Sequence, residues 1–143
     1  MRTRTVTVTR RTPAPPERVW ALLGDITSWP EWAPVRGAEL ELPAAGGGDG
    51  LGAIHALRTP TGTTREQVVA HEAPRHLAYV LLSGLPLRDY RSDVTLEPTD
   101  GGTTVTWTSR FSGGWLRARF VAMVLGTYSR RLTAAATSLS SAS

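Results

Sequence analysis

Apolar and polar residues alternate at the start of the chain. From residue 3 to residue 10, two valines share one face and threonines occupy the other, which is typical of a half-buried β-strand. The segment PPERVWALLGD then places its apolar side chains on one helical stripe, and Pro16 suits the first turn of a helix. The pattern therefore predicts a strand followed by a short helix, which Gly24 ends.

Two tryptophans follow in the segment ITSWPEWAP, three positions apart. Pro30 is poorly tolerated inside a helix, and Pro34 stops whatever helix remains. We therefore expect one helical turn over residues 26–32, on which Trp29 and Trp32 can share a face.

Strand patterns recur from residue 35 to residue 111, separated by short segments rich in Gly, Pro and Asp. The turn-like segment TPTG, at residues 59–62, has Pro at its second position and Gly at its fourth, as type I turns prefer. A hairpin turn there pairs His55 with Glu66 on the flanking strands. The six predicted strands are Ala38 to Leu42, Gly52 to Thr59, Thr63 to His71, His76 to Ser83, Arg88 to Glu97 and Thr103 to Phe111.

The last part of the chain, to about Leu139, has apolar residues three or four positions apart, which predicts a long amphipathic helix. We expect the first two residues and residues 138–143 to be frayed. The whole chain, residues 1–143, is expected to form a single domain. The predicted apolar stripe consists of Leu116, Phe120, Val124, Tyr128, Leu132 and Ala135.

Composition excludes several classes of protein. The chain has no cysteine, so disulfides and thiolate chemistry are excluded. All 16 basic residues are arginine and are scattered among acids, so the net charge of +4 indicates a solvated surface and no nucleic-acid partner. The absence of Lys and Asn indicates a GC-rich coding sequence. The longest apolar run, Phe120 to Leu125, is too short for a membrane span of about 20 residues, and no signal-peptide pattern is present, so we expect a cytoplasmic protein.

Five segments carry a resemblance to a known family: APPERVWALLGDITSWPEWAP, GAIHAL, REQVVAHEAPRHLAY, SGLPLRDYRSDVTLEP and GGTTVTW. With these segments in this order, the sequence resembles the START-related helix-grip (SRPBCC) superfamily, in its bacterial branch of polyketide cyclases/dehydrases and lipid-transport proteins. The resemblance implies an α+β fold in which a curved antiparallel sheet of about six or seven strands wraps around a long C-terminal helix. Two short helices follow the first strand, and a cavity lies between sheet and helix. His55 stands where the family often has a basic residue, commonly arginine.

Strand parity selects the side chains that can reach such a cavity, because alternate residues share a face. Valine and aromatic positions mark the inner face. Apolar walls with a few orienting hydroxyls are typical of small-molecule pockets, which usually exceed about 300 Å³; the same hydroxyls could equally be satisfied within a filled core. The candidate ligand-binding residues are Trp29, Trp32, Tyr79, Tyr90, Ser92, Trp107, Ser109, Phe120, Val124 and Tyr128.

The candidate catalytic residues are His55 and Glu66. A buried carboxylate beside an imidazole could hold one tautomer and form a general base for enolisation or dehydration. A purely structural cross-strand pair is the alternative. His71 and His76 flank a turn, and no metal-binding spacing is present, so we expect neither a metal nor another cofactor.

These observations predict a protein that binds a small hydrophobic molecule, such as a polyketide, lipid or aromatic metabolite, in the cavity. The first alternative is a cofactor-free polyketide cyclase, aromatase or dehydratase that acts in the same cavity. The second is a regulatory or partner-binding module that responds to the ligand. The sequence leaves open whether the protein is a monomer or a homodimer.

Overall fold

The computed structural model describes residues 2–142, and side-chain environments are described through residue 138. The first strand, β1, is followed by the helix α1 and a 3-10 helix, then by six further strands and the helix α2. The bounds are β1 Thr3–Thr12, α1 Pro16–Leu23, the 3-10 helix Ile26–Glu31, β2 Gly37–Leu42, β3 Ile54–Thr59, β4 Gly62–Glu72, β5 His76–Ser83, β6 Arg88–Thr99, β7 Gly102–Ser112 and α2 Trp115–Ala142.

The strands form one antiparallel sheet of seven, in the order β1-β7-β6-β5-β4-β3-β2. The helix α2 packs against β1 and β7. The predicted α+β helix-grip fold is therefore confirmed. The predicted hairpin register is confirmed as well, since Thr59 pairs with Gly62 and His55 lies opposite Glu66.

The inward face of the sheet follows the predicted alternation. Every second residue of β7 from Thr103 to Phe111 is buried, and so is every second residue of β6 from Tyr90 to Leu96. The valines and aromatic residues at these positions form one apolar core with α1, the 3-10 helix and α2. This core surrounds the candidate site.

The predicted stripe of α2 is wrong at its N-terminal end. Leu116 is 66% exposed and Phe120 is 40% exposed. The helix is turned so that its buried stripe is Val121, Leu125, Leu132 and Ala136. Apolar residues occur on both faces of the first turns of α2, so periodicity alone selects the wrong face there. The helix also continues to Ala142, past the predicted end near Leu139, and the predicted fraying of Met1 and Ser143 lies outside the described residues.

The 3-10 helix closes one end of the sheet. The side chain of Asp25 caps it by accepting a hydrogen bond from the N–H of Thr27. Pro30 lies inside the element, where the tighter 3-10 winding accommodates it. The two indoles are tied to the end of α1, since Trp29 Nε1 donates to the carbonyl of Leu23 at 3.0 Å and Trp32 Nε1 to that of Leu22 at 3.2 Å.

Over residues 2–142, no helix combines the length and the apolar character that crossing a bilayer requires.

Candidate functional site

A cavity of about 170 Å³ lies between the sheet, the 3-10 helix and α2. Its walls are mostly apolar and aromatic. This volume is smaller than the roughly 300 Å³ expected of a ligand pocket, although a cavity of about 150 Å³ can hold benzene. The lining residues are Trp29, Pro34, Leu57, Thr59, Thr61, Thr64, Glu66, Tyr79, Leu85, Tyr90, Trp107, Phe120, Val124, Leu125 and Tyr128.

Glu66 is the ionisable carboxyl group of the cavity. It lies on the inward face of β4, 6% exposed, and no hydrogen bond or ion pair of its side chain is found within the described residues. Burial disfavours the charged form and raises the pKa of Glu66 to about 8. At neutral pH the group is therefore mostly a neutral carboxylic acid, able both to donate and to accept a hydrogen bond.

Tyrosine side chains surround this acid. Burial raises the pKa of Tyr79 well above its usual value, and the nearby Glu66 and Tyr90 raise it further. Burial also raises the pKa of Tyr128, and Glu66 again adds to the effect. Glu66 and these tyrosines line the same cavity, so their polar groups share one enclosed space. All of them are neutral at neutral pH, so the polar part of the lining carries O–H groups without charge.

A hydroxyl cluster lies behind the wall formed by Tyr90. The Ser92 hydroxyl donates to the Tyr90 oxygen at 2.8 Å. The Ser109 hydroxyl lies 3.0 Å from the Tyr90 oxygen and 2.5 Å from that of Ser92. Both serines are fully buried. They fix the phenol of Tyr90 and are not among the lining residues.

The aromatic wall is centred on Trp29. Its ring centroid lies 6.2 Å from that of Trp107, 6.0 Å from that of Tyr128 and 6.5 Å from that of Tyr79, each in edge-to-face geometry. This is the arrangement that aromatic quadrupoles favour. The indole N–H of Trp107 is buried and lies close enough to the Tyr79 hydroxyl to offset part of the rise in that phenol's pKa, although no well-aligned hydrogen bond to it is found among the described residues.

His55 is bound to a residue other than the predicted one. Its Nε2 lies 2.7 Å from Oδ1 of Asp49, in the glycine-rich loop before β3, and the other carboxylate oxygen of Asp49 accepts the N–H of Ile26 at 2.8 Å. The imidazole is buried, yet it is absent from the cavity lining. The predicted His55–Glu66 contact is thus cross-strand proximity without a hydrogen bond. Asp49 was missed because its loop has no periodicity.

The remaining histidines have separate partners. His71 Nε2 lies 3.3 Å from the carbonyl oxygen of Gly24, and His76 contacts the carboxylates of Glu72 and Asp93 at 3.2 and 2.8 Å. No cluster of three or more His, Asp or Glu side chains suited to a metal ion is present in the part of the chain that the structure describes.

The structure brings most of the candidate ligand-binding residues together. Seven of them line the cavity: Trp29, Tyr79, Tyr90, Trp107, Phe120, Val124 and Tyr128. Three do not: Trp32, Ser92 and Ser109. Of the lining residues that the sequence did not single out, Leu57 and Thr64 share the inward faces of β3 and β4 with His55 and Glu66, so strand parity could have found them. Leu85 lies in the loop after β5, where no pattern identifies it.

A family model described as "Polyketide cyclase / dehydrase and lipid transport" matches residues 3–140. No curated protein gives a significant match. Among solved structures, a START superfamily protein from Mycobacterium smegmatis is similar with a TM-score of 0.82 and 14% identity, over 94% of this chain and 98% of that one.

Two further structures have the same fold. The protein XoxI from Bacillus cereus is similar with a TM-score of 0.78 and 23% identity, over 95% of this chain and 97% of that one. The di-domain ARO/CYC protein BexL, from the BE-7585A biosynthetic pathway, is similar with a TM-score of 0.75 and 22% identity, over 95% of this chain and 49% of that one. At such identities the structures show a shared fold alone. The family model extends over almost all of the sequence, and the chain therefore belongs to the polyketide cyclase/dehydrase and lipid-transport family.

Proposed function

We propose that the protein binds a small, uncharged hydrophobic molecule of about one or two rings in the cavity between the sheet and α2. The observation that carries this proposal is the pairing of aromatic walls with one buried carboxyl group, Glu66, that has no partner within the described residues. Pockets that recognise small molecules combine apolar walls with a few orienting polar groups. A volume of about 170 Å³ suits an aromatic metabolite and excludes a long acyl chain in this conformation.

The polar groups indicate what the molecule carries. A neutral carboxylic acid and several phenols can hydrogen-bond a carbonyl or hydroxyl oxygen without bringing a charge into the apolar core. An anionic ligand would meet no compensating cation among the lining residues. We therefore expect one ring system with an uncharged oxygen substituent.

Calorimetric titration with three probes tests the proposal. We expect 1-naphthol to bind more tightly than naphthalene, and 1-naphthalenesulfonate not to bind. Val124→Phe fills the cavity and should abolish binding of 1-naphthol. Ala122→Phe, on the exposed side of the same helix, is the matched control and should leave it unchanged. Equal binding of 1-naphthol by wild type and Val124→Phe would show that the ligand site lies elsewhere.

A second candidate is a cofactor-free cyclase or dehydratase that uses Glu66 as its proton donor. The pKa of about 8 supports it, since a general acid works best when its pKa lies near the operating pH. The Asp49-bound His55 is not a lining residue, so Glu66 is the single acid–base group of the proposed enzyme. Its ionised fraction takes the α-proton of the β-hydroxy ketone and returns that proton to the departing β-hydroxyl, which leaves as water while the C=C bond forms. Incubation with a β-hydroxy ketone tests it by loss of water: Glu66→Gln should retain binding of 1-naphthol and lose dehydration. Dehydration at an unchanged rate in that variant would exclude this mechanism.

A further inference from the structure

The first turns of α2 carry large apolar side chains that face away from the core. Leu116 is 66% exposed, Met123 63% and Phe120 40%. Residues at i, i+4 and i+7 lie on one face of an α-helix. The three side chains therefore form a continuous stripe, here called the outer stripe. Trp115, 58% exposed, begins the helix beside it.

The outer stripe is almost opposite the buried stripe of the same helix. At about 100° per residue, Val121 and Leu125 point roughly half a turn away from Leu116 and Met123. Core packing consequently does not explain the outer stripe. Farther along α2 the equivalent outward positions are Thr127, Arg131 and Ala134, so the large apolar residues are confined to one end of the helix.

Arginine flanks the outer stripe on both sides. Arg117 and Arg119 are exposed and lie to either side of Leu116 around the helix. No acidic residue occurs in the sequence after Asp100, whereas five arginines do: Arg110, Arg117, Arg119, Arg130 and Arg131. Asp89 lies near the start of α2, because Ser112 donates a hydrogen bond to it. The helix α2 itself therefore combines a net positive charge with the apolar outer stripe.

The outer stripe shares a residue with the cavity lining. Phe120 belongs both to the outer stripe and to the cavity lining. Arg117 Nε donates to the carbonyl oxygen of Pro86 at 2.9 Å, which ties the start of α2 to the loop after β5. Leu85 in that loop also lines the cavity. A surface that covered the outer stripe would thus lie beside this part of the cavity wall.

We propose that the outer stripe and its flanking arginines dock the protein on the surface of an anionic lipid membrane, without crossing it. Helices with apolar residues on one face and basic residues beside them lie in the interfacial plane of a bilayer, and each arginine near anionic headgroups adds attraction. A second copy of the chain would bring two positive helices together, so charge disfavours self-association through this face. The proposal does not depend on the identity of the cavity ligand.

Vesicle flotation tests the proposal. We expect wild type to float with vesicles of phosphatidylcholine and phosphatidylglycerol, to float much less with phosphatidylcholine alone, and to be released by high salt. The double variant Leu116→Ser/Met123→Ser and the single variant Arg119→Glu should each lower the apparent affinity about tenfold or more. Leu51→Ser is a matched control, because Leu51 is 64% exposed and lies in the loop before β3, at the opposite end of the strand order from the strands that contact α2. Arg75→Glu, at an exposed position, is the charge control. Both controls should bind as wild type does.

Trp115 gives an independent readout. Its fluorescence should shift to the blue and become protected from acrylamide when vesicles are added, and Trp115→Phe should remove that shift. Failure of wild type to bind phosphatidylglycerol vesicles, or equal binding by the double variant, would overturn the proposal. A dimer in light scattering that Leu116→Ser/Met123→Ser dissociates, without vesicle binding, would assign the outer stripe to self-association instead.

Discussion

Asp49 hydrogen-bonds His55 through one carboxylate oxygen, at 2.7 Å, and the backbone N–H of Ile26 through the other, at 2.8 Å. One side chain therefore joins three parts of the fold: the glycine-rich loop, the strand β3 and the first residue of the 3-10 helix. The same 3-10 helix carries Trp29, the centre of the aromatic wall. The position of the wall thus depends on a carboxylate outside the cavity.

Replacing Asp49 by Asn should lower the free energy of unfolding by about 1–3 kcal/mol near neutral pH, because a buried hydrogen-bonded anion is lost. Burial alone would raise the pKa of Asp49, but the hydrogen bonds and the nearby imidazoles hold it below 3.8. This stability is therefore present above about pH 4 and is lost as pH falls through the lowered pKa. Urea unfolding from pH 7 to pH 3 should show the Asn variant converging on wild type, while Asp100→Asn, at an exposed position, tracks wild type throughout. A constant difference at all pH values would contradict the assignment.

Replacing Glu66 by Gln should change the pH dependence of stability in the opposite sense. The folded pKa of about 8 lies above the ordinary value of 4.5, so the unfolded chain loses the proton first as pH rises. Between these values wild type should lose about 1.4 kcal/mol per pH unit relative to the Gln variant. Urea midpoints at pH 5, 6, 7 and 8 measure this slope. Glu97→Gln, at an exposed position of β6, provides the control, and parallel curves for wild type and Glu66→Gln would show that Glu66 titrates normally.

Substitutions of Trp29 and of Trp32 should both lower stability, but only the substitution of Trp29 should weaken ligand binding. Trp29 lines the cavity, whereas Trp32 is buried 5.0 Å away, between ring centroids, and does not. Trp32→Leu should cost stability, about 2–4 kcal/mol, and leave the affinity for 1-naphthol unchanged. Trp29→Leu should cost a similar amount and weaken binding as well. Calorimetric titration of both variants with 1-naphthol measures the two affinities. An equal loss of affinity in both variants would mean that Trp32 also contacts the ligand.

Gly102 should not tolerate a side chain. An added Cβ would lie 1.9 Å from the carbonyl oxygen of Thr12, which is backbone and cannot move aside without disturbing β1. Gly102→Ala should therefore lower the melting temperature strongly, since overpacking against fixed atoms costs about 1–3 kcal/mol or more. Gly46→Ala, in the loop before β3, where no atom lies within 4 Å of the added Cβ, is the control and should melt like wild type. Thermal unfolding followed by circular dichroism compares the two.

Local chemistry made much of the fold predictable. Pro60 and Gly62 specify the turn that sets the register of His55 against Glu66, and period-two alternation assigns the inward residues of β6 and β7. These signals are local, so they can be interpreted from the sequence without knowledge of the tertiary structure. The family resemblance supplied the packing of the long helix against the sheet, which no single segment encodes.

Other parts of the site depend on tertiary contacts that local patterns do not contain. Leu116 and Val121 are both apolar and both fit a helical stripe, so only the docking of α2 distinguishes the exposed residue from the buried one. Asp49 reaches His55 from a loop whose path is set by glycines. The side chain opposite His55 in the register was predictable, but the one that binds it was not.

The pairing of β1 with β7 also has a consequence for the order of folding. Thr3 lies opposite Ser112 and Thr12 opposite Thr103, so β1 leaves the ribosome about a hundred residues before β7, its neighbour in the described part of the sheet. Until then its polar edge remains unpaired, and closing so long a loop is entropically slow. During synthesis, this edge of the sheet therefore cannot form until residues 103–112 have been made.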